Sequence, residues 1–182
     1  MPKVKNNIFL NGLIGMLGKQ FVIKRMKGGA TIVTNRPTFS HYRKFSEKQK
    51  AHQQKFQEAT AYGKVMKRHP VYLALAEGTP QTGYNIAVAD WWHPPEILEV
   101  ELGGWRDGSG GAIRVKAQDN VLVVSVSVTI ETASGKCLEM GEAQESGALW
   151  WEYHPAQPPA EGLQVTVIAR DMPRRAAVWK SE

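Results

Sequence analysis

Val121-Leu122-Val123-Val124-Ser125-Val126-Ser127-Val128-Thr129-Ile130-Glu131-Thr132 decides how the C-terminal half of this chain folds. Val124, Val126, Val128 and Ile130 alternate with Ser125, Ser127, Thr129 and Glu131. A period of two puts the apolar set on one face of a strand and the polar set on the other, so one face is buried and one is wet. The flanking sequence has the same texture, short β-rich runs parted by Gly, Asp, Asn and Pro. Glu96–Leu102, Ala112–Ala117, Lys136–Gly141, Ala148–Tyr153, Leu163–Ala169 and Ala176–Lys180 join it to make about seven strands, the pattern of an antiparallel sandwich.

Two of these runs close in the same way. Ile113-Arg114-Val115-Lys116-Ala117-Gln118-Asp119-Asn120 and Val165-Thr166-Val167-Ile168-Ala169-Arg170-Asp171-Met172-Pro173 each end an alternating strand in Ala-x-Asp before a loop. In this the segment 95–180 resembles bacterial immunoglobulin-like domains, with the two runs as their B and F strands. The resemblance implies an Ig/FnIII-like β-sandwich and carries no activity with it. Antibody domains tie their sheets with paired cysteines. This chain has one cysteine, Cys137, so apolar packing must hold the core. Cys137 itself, beside Leu138 in a strand, reads as a small buried hydrophobe. The whole order of glycine-rich arm, basic hairpin, helix and sandwich is also similar to small bacterial proteins of unassigned function.

The N-terminal half has a different texture. Met26-Lys27-Gly28-Gly29 separates two β-branched or aromatic runs, and its glycines suit a tight turn, which predicts a hairpin pairing Phe21–Arg25 with Ala30–Thr34. Phe21 and Ile23 then share one face and Val22 and Lys24 the other, and Pro37 ends the hairpin. Such a hairpin alone is marginal in water and must lean on something. Ser46-Glu47-Lys48-Gln49 is a capping box opening a helix from Glu47 to about Arg68, with Phe56, Ala59, Tyr62 or Gly63, and Met66 as its buried stripe. Val71–Glu77 and Tyr84–Trp92 read as shorter helices. The fold class expected is therefore α+β, mostly β: hairpin and helical cluster over 1–93, sandwich over 94–182.

Charge divides the same way. Residues 1–93 carry 15 Lys/Arg against 4 Asp/Glu, and 94–182 carry 8 against 13, so halves of +11 and −5 make up the total of +6. A basic module joined to an acidic one suggests different partners for each, and head-to-tail contact between copies. No stretch of the sequence is long and apolar enough to span a bilayer. Lys3 and Lys5 before Ile8–Leu17 imitate a signal peptide, but Asn11, Gly12 and Gly15 break the apolar run and no cleavage site follows. A chain in the cytoplasm, or in a particle assembled there, is expected. That same arm is too apolar to stay in water and too rich in glycine to form its own core, which suits packing on a neighbouring subunit and equally suits covering the chain's own helix.

Chemical motifs fail on spacing. Gly12 to Gly18-Lys19 has five intervening residues and Gln20 where a phosphate loop needs Ser or Thr, and the two Gly-x-x-Gly matches precede a strand rather than joining helices. Asp107-Gly108-Ser109-Gly110-Gly111 lacks the first glycine of a nucleophile elbow. His41, His52, His69, His93 and His154 have no ligand spacing, and three of them precede proline, which fits turns. Asp107, Asp119, Asn120 and Asp171 read as solvated turn residues, with calcium as the other reading. Glu99 and Glu101 share a strand face, too common a pattern to imply glycosidase chemistry.

The expectation is a non-enzymatic structural or interaction protein without cofactor or metal, a subunit or adaptor of a multi-subunit assembly of which a phage-related particle is one kind. Its docking surface comprises Phe9, Leu10, Leu13, Ile14, Lys19, Phe21, Lys24, Arg25 and Lys27, and its partner is a protein, foremost another copy. The alternative is a nucleic-acid-binding accessory protein gripping phosphates with the same basic residues. A sugar-binding enzyme is a distant third, for want of a catalytic constellation. Trp91, Trp92, Trp150 and Trp151 are candidate aromatic contacts, or packing between the halves. Because adjacent strand residues point oppositely, Trp150 and Trp151 cannot both face inward.

Overall fold

A computed structural model describes residues 3–4, 12–26, 29–39, 42, 44–108 and 110–181. The chain divides into two units, Met1–Val88 and Ala89–Glu182. Among the described residues the fold is α+β and mostly β, with three four-stranded antiparallel sheets.

The C-terminal unit is built on the alternation in β7 (Val123–Thr132), where Val126, Val128 and Ile130 are fully buried. β7 pairs with β11 (Leu163–Asp171), which buries Val165, Val167 and Ala169 in register beside them. β12 (Ala176–Lys180) and β8 (Cys137–Glu142) complete this sheet in the order β12-β11-β7-β8. The facing sheet runs β5-β6-β10-β9, from β5 (Glu96–Glu101), β6 (Ile113–Gln118), β10 (Trp150–Tyr153) and β9 (Gln144–Gly147). Its Ile113, Val115 and Ala117 meet the valines of β7 and β11 in one core, which Trp105 closes. Fully burying each Val or Ile is worth about 1.5–3 kcal/mol, so this shared face dominates the unit's stability.

Four features depart from the reading of the sequence. Val124, expected on the buried face of β7 with Val126, Val128 and Ile130, is 52% exposed. β9 is an extra strand, short and wholly exposed, with no apolar alternation to announce it. A single helical turn, α4 (Gly103–Arg106), lies between β5 and β6 and carries Trp105 into the core. Cys137 is exposed, because it opens the edge strand β8 rather than lying within the sheet.

In the N-terminal unit, Phe21–Arg25 (β3) pairs antiparallel with Thr31–Asn35 (β4), Phe21 opposite Asn35 and Arg25 opposite Thr31. The partner run thus lies one residue later than expected; Lys27 and Gly28 of the turn lie outside the described residues. Part of the presumed arm, Gly15–Leu17, is itself a strand, β2, on the free side of β3, and Lys3–Val4 (β1) flanks β4. This sheet buries only Ile23 among its described residues.

Helix α1 (Glu47–Met66) opens with the expected capping box: the Gln49 amide donates to Ser46 Oγ and the Ser46 amide to Gln49 Oε1. It ends two residues earlier than expected. Its N-terminal half, 47–58, is exposed on every side, and Phe56, expected in the buried stripe, is 53% exposed. Burial begins at Ala59 and Gly63, where α2 (Pro70–Ala76) and α3 (Gly83–Trp92) come in. There the Tyr62 and Tyr72 hydroxyls are 2.7 Å apart. A Cβ at Gly63 would lie 2.5 Å from Val88 Cγ2 and 3.1 Å from the Tyr84 ring, so only glycine lets α1 and α3 approach this closely. Gly63→Ala is expected to cost about 1–3 kcal/mol through overpacking, despite alanine's better helix propensity, read as a lowered midpoint in thermal unfolding.

Candidate interaction site

Two surfaces follow from these elements. On the N-terminal sheet, strand alternation puts Leu17, Phe21 and Ile23 on one face and Met16, Val22 and Lys24 on the other. Leu13, Ile14, Met16 and Leu17 are 45–70% exposed and Phe21 is 39% exposed. Lys19, Lys24 and Arg25 are exposed beside them. Six of the nine expected docking residues therefore gather on and around β2 and β3. Phe9, Leu10 and Lys27 lie outside the described residues. The unit boundary sharpens the charge contrast, with 15 Lys/Arg against 3 Asp/Glu in 1–88 and 8 against 14 in 89–182, +12 and −6.

The tryptophans divide as alternation requires. Trp151 packs against the sandwich core. Trp150 lies on the outer face, with the Arg114 guanidinium 4.5 Å from its ring centroid and Lys116 Nζ at 5.7 Å. Arg114 is also held by Glu101 at 2.8 Å and Glu152 at 3.2 Å. That ring is thus engaged by its own sheet's cations rather than laid bare. Trp91 is stacked by Arg175, 4.6 Å from its centroid, which also donates to the Trp91 carbonyl at 3.3 Å. Trp92 lies 6.4 Å from Trp91.

A polar cluster that the sequence did not announce ties the two sheets. Glu139 Oε1 on β8 accepts from the Tyr153 hydroxyl on β10 at 2.7 Å and from the Ala156 amide at 2.9 Å. Glu139 Oε2 accepts from the Gln157 amide at 2.6 Å, and Trp105 Nε1 donates to the Gln157 carbonyl at 2.9 Å. Partial burial pushes the Glu139 carboxyl up, but the phenol and the two amides outweigh it and hold the group below its ordinary value. Burial and the carboxylate together push Tyr153 up to about 12. The Tyr153 ring needs Gly141 beneath it, since a Cβ there would lie 2.6 Å from the ring. Only residues distant in sequence make this cluster, so no local motif marks it.

The two Ala-x-Asp endings also meet. Asp119 Oδ2 caps the loop after β6 by accepting from the Val121 and Leu122 amides, and Asp171 Oδ1 caps the β11–β12 turn by accepting from the Arg175 amide. The second oxygen of each is buried without a hydrogen-bond partner. Burial, reinforced by the charge of Asp119 against the pull of Arg175, raises the Asp171 carboxyl to about 6. Asp107 is the C-cap of α4, in the segment before β6. Among the described residues no three His, Cys, Asp or Glu side chains gather as metal ligands. Nor is any described helix long and apolar enough to cross a membrane.

No family profile, curated protein or solved structure matches this chain.

Two effects are expected in equilibrium unfolding. Tyr153→Phe should cost about 1.5–3 kcal/mol, because it removes a hydrogen bond to a charged group. Asp171, raised when folded, contributes stability that is full below its unfolded value near 3.8 and is lost as pH rises through about 6. Asp171→Asn should abolish that loss in a pH series of denaturation midpoints, since the amide oxygen still accepts from Arg175 without a buried charge.

Proposed function

We propose that this protein is a non-catalytic assembly component, whose basic N-terminal unit docks on a protein partner while the C-terminal sandwich is displayed. One observation carries the reading: the N-terminal sheet buries only Ile23 among its described residues and leaves Leu13, Ile14, Met16, Leu17 and Phe21 exposed. Leu17 and Phe21 are paired on one face of the sheet and Met16 stands on the other, so both faces keep apolar surface in water beside exposed Lys19 and Lys24, which points to an interaction site more than scattered single residues do. A small sheet with so little core also gains stability from being covered.

We also infer that the displayed unit is immunoglobulin-like. Lettered in chain order, β5, β6, β10 and β9 stand as A-B-E-D, and β12, β11, β7 and β8 as G-F-C with an added strand beside C. This supports placing the two Ala-x-Asp runs on strands B and F. The unit has no tryptophan on β7 and no disulfide; Trp105 fills the core instead.

A second reading has its own observation. The +12 unit carries Lys48, Lys50 and Lys55 on the fully exposed half of α1, a footprint suited to phosphates.

Light scattering with absorbance at 260 and 280 nm tests both. Assembly predicts a protein-only mass several times 20.2 kDa that survives high salt, and a Leu13→Asp/Ile14→Asp variant that falls to one chain. Co-eluting nucleic acid stripped by salt, and lost in Lys24→Glu/Arg25→Glu, would transfer the assignment to the second reading.

A further inference from the structure

Edge strands carry unpaired backbone donors and acceptors, and proteins ordinarily guard them with charge, proline or cover. Among the described residues β2 is an outer strand of its sheet, bonded to β3 alone. From Gly12 to Gly18 its segment holds no charge and no proline, and Leu13, Ile14, Met16 and Leu17 stand exposed. Among the described residues nothing guards this edge, and it belongs to a unit of +12. The same edge of a second copy is a poor match, because it would bring two strongly basic units together.

The sandwich offers four outer strands, and charge separates them. β12 is flanked by Arg174 and Lys180. The acids of β5 are engaged by their own sheet, Glu101 by Arg114 and Glu96 by Gln118, with Glu99 opposite Lys116. The remaining two are β8 and, in the facing sheet, β9, which follows β8 in the chain after Ala143. Glu142 and Glu145 are exposed there, lie opposite Ser127 and Trp151, and form no ion pair with described residues. β8 also presents Leu138 at 39% and Met140 at 71% exposure. It is a six-residue strand bonded to β7 alone, apolar and acidic where β2 is apolar and basic-flanked.

We propose that the occupant of the β2 edge is the β8 edge of a second copy of this chain, joined by strand addition with Lys19 meeting Glu142 and Glu145. The proposal rests on the assembly reading and gives it a direction. The contact is heterologous, each copy using one edge to donate and another to accept, so it propagates as a ring or a filament rather than stopping at a two-fold dimer.

Light scattering of the full chain and two variants tests it. Met16→Glu guards the donor edge at an exposed position and sets an acid against the acids of β8, and Glu142→Lys/Glu145→Lys reverses the acceptor edge. Circular dichroism and the thermal midpoint verify that both fold. Wild type should run at several chain masses, each variant alone at one chain, and their equimolar mixture at two chains, because each retains the edge the other lacks. Wild type that assembles while either folded variant assembles equally well would overturn the edge contact and leave the assembly reading standing. Variants that are single chains alone and remain so when mixed would show that the two edges they retain do not pair with each other, and also overturn it. A wild type that stays a single chain at all concentrations would remove both.

Discussion

The structure depends on one constraint: an antiparallel strand has two faces, and in β7 only one of them is greasy. Val126, Val128 and Ile130 cannot leave water unless a second sheet covers them, and β6 and β11 supply the matching face. Strand order, the inward turn of Trp151 and the outward turn of Trp150 all follow from which residue parity points to that core. A slip of β11 by one residue against β7 would turn Val165, Val167 and Ala169 away from the core at once, which is why the register is held along nearly the whole of both strands.

The N-terminal unit lacks such a constraint. Its helices meet around Tyr72 and at the glycine contact between α1 and α3, while its sheet has one buried residue and its longest helix begins with three turns that touch solvent on all sides. Helical turns of this kind gain little from packing, so their capping box and the Lys50–Glu47 pair at 2.7 Å do much of the local work. The contrast is one of packing: one unit is organised around a large shared core, the other leaves most of its described apolar strand residues in water.

How far the sequence was legible follows from this difference. Where burial imposes a period, the reading held: the alternation of β7 from Val126 to Ile130, the capping box at Ser46 and the opposite pointing of Trp150 and Trp151 are all local signals, while Val124 keeps the period of β7 but is 52% exposed. Phe56 misled because three-to-four spacing marks a possible stripe, and only a neighbour makes it buried. Cys137 misled because a strand's position within its sheet is not written in the strand. β9 was missed because a wholly exposed strand needs no apolar residues, and α4 because Gly103-Gly104 reads as loop. Of the candidate site, the exposed apolar and basic residues were legible as residue types. The Glu139 cluster was not, since it joins positions up to about 50 apart through contacts that no spacing rule encodes.

That cluster has a consequence beyond stability. β-sandwiches that join their sheets by a disulfide depend on the oxidising power of their surroundings, since the bond is lost where thiols are kept reduced. Here the tie between β8 and β10 is a carboxylate held by a phenol, with two amides drawing in the loop beyond. Such a tie has no reduction potential. It closes on folding without an oxidant or an isomerase, it reopens and re-forms at the speed of the chain, and reductant leaves it intact. The sandwich carries its inter-sheet fastening from a reducing compartment to an oxidising one unchanged, and what governs the fastening instead is protonation of a single side chain.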